Sequence, residues 1–148
     1  LMSTLGRGEN YIPGGGPPDM RTLPDNLTSD EQRLKRNREY WKAVPAMRLG
    51  GPTWRWIHEA LRSIKQVTRR RRIAEIRIPV LLLSAGRDRV VSPYWHAHIA
   101  EMNTRIRIYN IPESQHEVLQ ENDNIQAIAW NQITPFLRDQ LTDSDYTP

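Results

Sequence analysis

The stretch Ile78 to Asp88, Ile-Pro-Val-Leu-Leu-Leu-Ser-Ala-Gly-Arg-Asp, constrains the fold of this chain more than any other. Continuous apolar runs this short, rich in Leu, Ile and Val, read as a strand buried on both faces of a parallel sheet. Pro79 fits only near the start of such a strand, where a missing N–H costs least. Ser84, Ala85 and Gly86 then break the run. In open α/β sheets, ligands and catalytic groups gather at the carboxyl ends of the strands, and Asp88 stands at that end. Its meaning depends on whether a histidine arrives beside it.

Downstream, Ser92-Pro93 opens a predicted helix, with proline at a tolerated first-turn position and Trp95, Ile99 and Met102 facing the sheet. Arg105 to Tyr109 alternates and reads as a second strand, nearer an edge. Strand, helix and strand make one βαβ unit, whose crossover is expected to be right-handed. A loop from Ile111 to Gln120 carries His116. A last helix is predicted from about Glu121 to Leu137, with Ile125, Ile128, Ala129, Ile133, Phe136 and Leu137 on one face and Pro135 bending its final turns. The tail from Thr142 is polar and expected to fray. Parallel strands put their following loops on one side of the sheet, so Asp88 and His116 can meet. A buried carboxylate accepting one ring N–H fixes the imidazole tautomer, and the other ring nitrogen can then take a proton from a hydroxyl nucleophile.

The N-terminal half has another character. Glycines and prolines make residues 1 to about 27 loop-like, either a flexible lead-in or an ordered loop. Thr28-Ser29-Asp30-Glu31 then supplies N-cap candidates, with Glu31 at capping-box spacing from Thr28, and a helix to about Val44 follows, limited by Pro45. After the turn Leu49-Gly50-Gly51-Pro52-Thr53, Trp54, Ile57, Leu61 and Ile64 define one face of a second helix, with Trp56 and Ala60 on a neighbouring stripe. Two amphipathic helices before a buried strand look like a helical insertion beside a sheet. Thr-Arg-Arg-Arg-Arg, Thr68 to Arg72, reads first as a solvated helix end. Arg69, Arg70, Arg71 and Arg72 are also the residues that would meet an anionic lipid surface. No nucleic-acid module accompanies them, so nucleic acid is not expected as a partner.

Composition removes several classes. The 148 residues suffice for one ordinary domain, and the absence of cysteine excludes disulfides, thiolate metal sites and a cysteine nucleophile. The net charge of +4 is too modest to choose a partner. His96 and His98 are two apart on a predicted helix and do not face each other, and His58 reads as surface or cap packing. His116-Glu117 begins like a zinc-protease helix, but Gln120 stands where the second histidine belongs. Neither metal nor cofactor is expected. There is no long apolar run and no basic-then-apolar leader, so the expected location is cytoplasmic, with peripheral contact at the inner membrane. Leu1 in place of Met fits a chain cut from something longer.

Two motifs carry a family resemblance. Ile78-Pro79-Val80-Leu81-Leu82-Leu83-Ser84-Ala85-Gly86-Arg87-Asp88-Arg89-Val90-Val91 and Ser114-Gln115-His116-Glu117-Val118-Leu119-Gln120-Glu121 together resemble the C-terminal part of an α/β-hydrolase. Within that fold the chain is most similar to the bacterial lysophospholipases, relatives of the monoacylglycerol lipases. Gly6 to Pro17 and Leu49-Gly50-Gly51-Pro52-Thr53-Trp54 favour that branch. The resemblance implies Asp88 as triad acid and His116 as triad base. It also implies a cap or lid over residues 1–72, a core portion over 73–141 and a tail over 142–148. Trp54, Trp56, Met47 and Leu49 become candidates for the lipid-facing lining, and a lipid ester becomes the substrate.

One departure is large. The family's serine sits in a strand-turn-helix elbow, G-x-S-x-G, and no serine of this chain has those flanking glycines. The nucleophile and the oxyanion-hole donors are expected before Leu1, in an N-terminal half of the core that would be this chain's partner. Oxyanion stabilisation is among the largest catalytic terms, so the chain alone is expected to be inactive. Two competing readings stand beside this one. The chain is a non-catalytic basic interaction module, or it is a truncated product whose uncovered strand edge drives oligomerisation.

Overall fold

The structure, a computed structural model, describes residues 6–20 and 26–142. Apart from Thr142, the expected polar tail lies outside the described residues, as does Pro24. In chain order the elements are α1 (Glu31–Ala43), α2 (Trp54–Val67), α3 (Arg70–Ala74), β1 (Val80–Ala85), α4 (Pro93–Glu101), β2 (Ile106–Ile111) and α5 (Asp123–Thr142). They group into two compact units, residues 6–20 with 36–72 and residues 26–35 with 73–142.

In the second unit β1 and β2 pair in parallel, from Val80 opposite Ile106 to Ala85 opposite Ile111. Leu83, Tyr109 and Ile111 pack with Ile125, Ala129 and Ile133 of α5. Ser84, the neighbour of Leu83, instead sets its Oγ 3.0 Å from His96 Nδ1 on α4. Successive strand residues point to opposite faces, so helices cover both sides of the sheet. This is the α/β layering that the βαβ pattern predicts. Ile111 and Ala129, both 0% exposed, mark the centre of the core.

Several boundaries differ from those expected. Ser84 and Ala85 are fully buried, but Val80 to Leu83 are only half-buried, short of burial on both faces. Among the described residues the sheet has two strands, so β1 has a neighbour on one side only. The last helix begins at Asp123 rather than Glu121, because Asn122 Oδ1 accepts the Ile125 N–H at 3.1 Å and acts as N-cap. It continues through Pro135 to Thr142, beyond the expected end at Leu137. Ile133 packs against the core there, and the Arg107 guanidinium lies 5.8 Å from the Phe136 ring centre. Of the cap candidates for α1, Asp30 is the one used, its Oδ1 accepting the Arg33 N–H at 2.9 Å, while the Thr28 hydroxyl goes to Gln120 O.

In the first unit the glycine-rich stretch is an ordered loop against the segment that opens α2. Ile12 N–H donates to Pro52 O (3.1 Å), Gly51 N–H to Gly16 O (2.7 Å), Trp54 N–H to Asn10 O (3.0 Å) and Arg55 N–H to Gly8 O (2.8 Å). Tyr11 and Thr53 form an antiparallel bridge. The two backbones nearly touch: a Cβ on Gly51 would stand 2.7 Å from Gly15 Cα and 2.8 Å from Gly16 N. Thr53 caps α2 by accepting the Trp56 N–H at 3.2 Å. Arg48 closes α1, donating from Nε to Trp41 O at 2.7 Å and from Nη2 to Lys42 O at 3.0 Å.

The arginine run is not the simple end of a helix. The Thr68 hydroxyl donates to Ile64 O at 2.7 Å, a local bond that competes with the helical ladder, and α2 stops at Val67. The chain restarts as α3 at Arg70. On α2, Trp56, Leu61, Ile64 and Val67 are exposed, so much of the apolar face predicted for packing is open. Among the described residues no helix is long and apolar enough to cross a membrane.

Gly51→Ala drives a methyl into the Gly15 backbone. It is expected to cost about 1–3 kcal/mol in the first unit, as overpacking does. Hydrogen exchange should show lost protection at the Ile12 and Trp54 amides, with the amides of β1 and β2 unchanged.

Candidate active site

The end of β1 is stitched to the end of β2 beyond the strands themselves. Gly86 N–H donates to Ile111 O at 2.9 Å, and Arg87 N–H donates to Ser114 O at 2.9 Å. A Cβ on Gly86 would lie 2.6 Å from Pro112 O, so only glycine permits this approach. The loop after β1 and the loop after β2 therefore leave the sheet side by side.

This brings Asp88 and His116 together, with His116 Nδ1 2.9 Å from Asp88 Oδ2. The Asp88 side chain is 3% exposed and that of His116 is 32% exposed. The other carboxylate oxygen, Oδ1, accepts the N–H groups of Val90 at 2.7 Å and Val91 at 3.0 Å. Asp88 thus shapes its own turn and faces the imidazole at once; the two readings of this residue are compatible. Burial pushes its carboxyl up, but the Val91 N–H, the His116 ring and the Val90 N–H together hold it below its ordinary 3.8. The carboxylate is ionised at neutral pH. With Nδ1 directed at Asp88, Nε2 is the ring nitrogen available for proton transfer, and among the described residues it has no hydrogen-bond partner.

A cleft of about 640 Å³ opens beside the pair, lined by Asn26, Arg87, Asp88, Arg89 and Gln115. Gln115 Oε1 is buried and has no hydrogen-bond partner among the described residues. The four candidates for the lipid lining all fall in the first unit. Met47, Leu49 and Trp56 are exposed and Trp54 is half-buried. Arg69 follows α2, and Arg70, Arg71 and Arg72 form the exposed start of α3. His96 and His98 go to different partners, Ser84 and the ring of Tyr94. Among the described residues no group of three metal-ligating side chains stands together.

One residue of the site escaped the sequence reading. Glu121 looked like the first residue of a helix, yet it is 0% exposed and its Oε1 accepts the Gln115 N–H at 2.6 Å. The only signal of this was its position five residues after His116, where a carboxylate also suits a helix start.

The sequence pattern of the family described as "Serine aminopeptidase, S33" matches residues 10–123. The chain is 34% identical over 141 residues to a probable lysophospholipase L2 of Haemophilus influenzae, covering 95% of this chain and 44% of that protein. It is 32% identical over 126 residues to lysophospholipase L2 of Escherichia coli, covering 78% of this chain and 36% of that protein. The chain thus spans less than half the length of these relatives. In fold it is similar to a soluble variant of monoglyceride lipase from Saccharomyces cerevisiae, crystallised with a substrate analog. The TM-score is 0.63 at 17% identity, over 81% of this chain and 43% of the other. The chain belongs to the serine aminopeptidase, S33, family and is a lysophospholipase-like α/β-hydrolase.

Proposed function

We propose that Asp88 and His116 are the acid and base of a Ser-His-Asp triad that hydrolyses a carboxylic ester of a lipid, a lysophospholipid or a monoacylglycerol. The observation that carries this reading is the 2.9 Å contact between Asp88 Oδ2 and His116 Nδ1, at the ends of two adjacent parallel strands. Asp88 accepts the Nδ1–H and so fixes the tautomer of the neutral ring in which Nε2 carries the lone pair. Nε2 takes the proton of a serine hydroxyl as the oxygen attacks the ester carbonyl. The imidazolium, stabilised by Asp88, then returns that proton to the leaving alcohol. An acyl-enzyme remains, and water activated by the same nitrogen releases the fatty acid.

No G-x-S-x-G occurs in this sequence, so the proposal assigns the nucleophile and the oxyanion donors to residues outside these 148. Residues 1–72 form a cap on this reading, and residues 73–141 part of the core. Trp54, Trp56, Met47 and Leu49 face the acyl chain, and Arg69 to Arg72 meet anionic headgroups at a membrane surface. The names of the relatives, lysophospholipase L2 and monoglyceride lipase, support both the reaction class and the substrate class.

The test is reconstitution with a polypeptide that supplies G-x-S-x-G, by fusion or coexpression, followed by assay on lysophospholipid and monoacylglycerol. His116→Ala and Asp88→Ala are each expected to lower kcat by about a thousandfold or more. Turnover near wild type in either variant would remove that residue from the triad. Acid titration gives a separate check, because the Asp88 carboxyl is held below its ordinary 3.8. Its stabilising contribution is complete above pH 3.8 and is lost as pH falls through the lowered value. The stability gap between wild type and Asp88→Asn, from denaturant unfolding, should be flat above about pH 5 and shrink progressively in more acid solution.

A further inference from the structure

We infer that Glu121 is a positioning residue for His116, acting through the backbone N–H of the residue before it, Gln115. The inference deepens the triad reading, and its kinetic arm rests on that reading. A carboxylate with no solvent contact is costly to bury unless several donors surround it. Glu121 has them. Oε1 accepts the N–H of Gln115, the residue just before His116, at 2.6 Å. Oε2 accepts the Ser29 N–H at 3.0 Å and the Ser29 hydroxyl. Thr28 Oγ1 stands 3.3 Å from Oε2, while its proton has a better acceptor in Gln120 O at 2.8 Å.

The same segment secures the other flank of the histidine. Glu117 N–H, just after His116, donates to Leu27 O at 2.8 Å. The Arg33 guanidinium holds Glu121 O and the Asp123 carboxylate, tying the carboxylate's own backbone to the start of α1. His116 therefore hangs between two peptides, each fastened to residues 27–33 directly or through Glu121. The ring position that meets Asp88 depends on where those two peptides lie.

Two acceptor oxygens are needed here as well as shape. Both oxygens of Glu121 accept from backbone N–H groups, Gln115 on one and Ser29 on the other. A glutamine at 121 presents one oxygen and one NH2. Whichever way the amide turns, one backbone N–H faces another donor. A buried unmet donor is a large local penalty, relieved most readily by displacement of the loop.

The experiment compares wild type, Glu121→Gln and the core variant Ile125→Val, each with 15N-labelled histidine, by imidazole NMR. Wild type should show His116 as the Nδ1–H tautomer with a downfield proton shared with Asp88. Glu121→Gln should keep the helical circular dichroism, lose that downfield proton and show averaged tautomers. Ile125→Val should lose stability and leave the His116 signals in place. Should Glu121→Gln fail to fold, Ser29→Ala removes one donor only and is expected to shift the same signals in the same direction by less. In the reconstituted enzyme, Glu121→Gln should lower kcat on the order of 10- to 100-fold with KM nearly unchanged. Unchanged His116 signals in Glu121→Gln and Ser29→Ala, or the same loss in Ile125→Val, would overturn the inference. If the reconstituted wild type hydrolyses no ester while the NMR effect holds, the triad reading falls and the positioning role stands.

Discussion

Parallel pairing of β1 with β2 is the constraint on which the candidate site depends. Register fixes Ala85 opposite Ile111, and the backbone bonds continue past the last paired residues, from Gly86 to Ile111 and from Arg87 to Ser114. The two loops are joined by main-chain groups before any side chain takes part. Asp88 and His116 then need only short side chains to close the remaining gap. A register slip by one residue would turn each side chain to the opposite face and separate them. α5 guards against that slip, since Ile125 and Ala129 pack against Ile111, Leu83 and Tyr109, and a slip would turn those strand residues away from it.

The Asp88–His116 pair was legible in the sequence because each residue follows a recognisable strand, and parallel strands place their exits together. The α/β class was legible for the same reason. What escaped the reading rests on contacts between distant parts of the chain. Thr28 and Glu31 have the spacing of a capping box, but the segment's hydroxyls are drawn to Gln120 and Glu121, 92 and more positions on, and the cap passes to Asp30. Glu121 has the composition of a helix start, yet lies buried as the acceptor of that distant segment. Periodicity could place an apolar face on α2 but could not say what covers it, and Trp56, Leu61 and Ile64 are exposed. The break at Thr68, where both the N–H and the hydroxyl go to Ile64 O, lies below the resolution of any charge pattern.

The glycine-rich stretch shows how composition can mislead in the other direction. Glycine and proline in such density suggest slack chain, but Gly51 and Gly15 are small because two backbones meet there. The hydrogen bonds from Gly8 to Gly16 convert that stretch into one side of a ladder with residues 51–55. Each of these two segments is shaped to fit the other.

The close approach of Gly86 to Pro112 has a consequence for how this protein can vary. Side chains on the outer face of α5, such as Trp130, Leu137 and Leu141, are exposed and can drift without moving Asp88 or His116. At position 86 the first carbon of any side chain would meet a carbonyl, so drift is barred by a backbone atom that no second substitution can trim away. Compensating change is open to a side-chain clash and closed to this one. The spacing of Asp88 and His116 is therefore heritable in the main chain, and it can persist while most of the surface around it is rewritten.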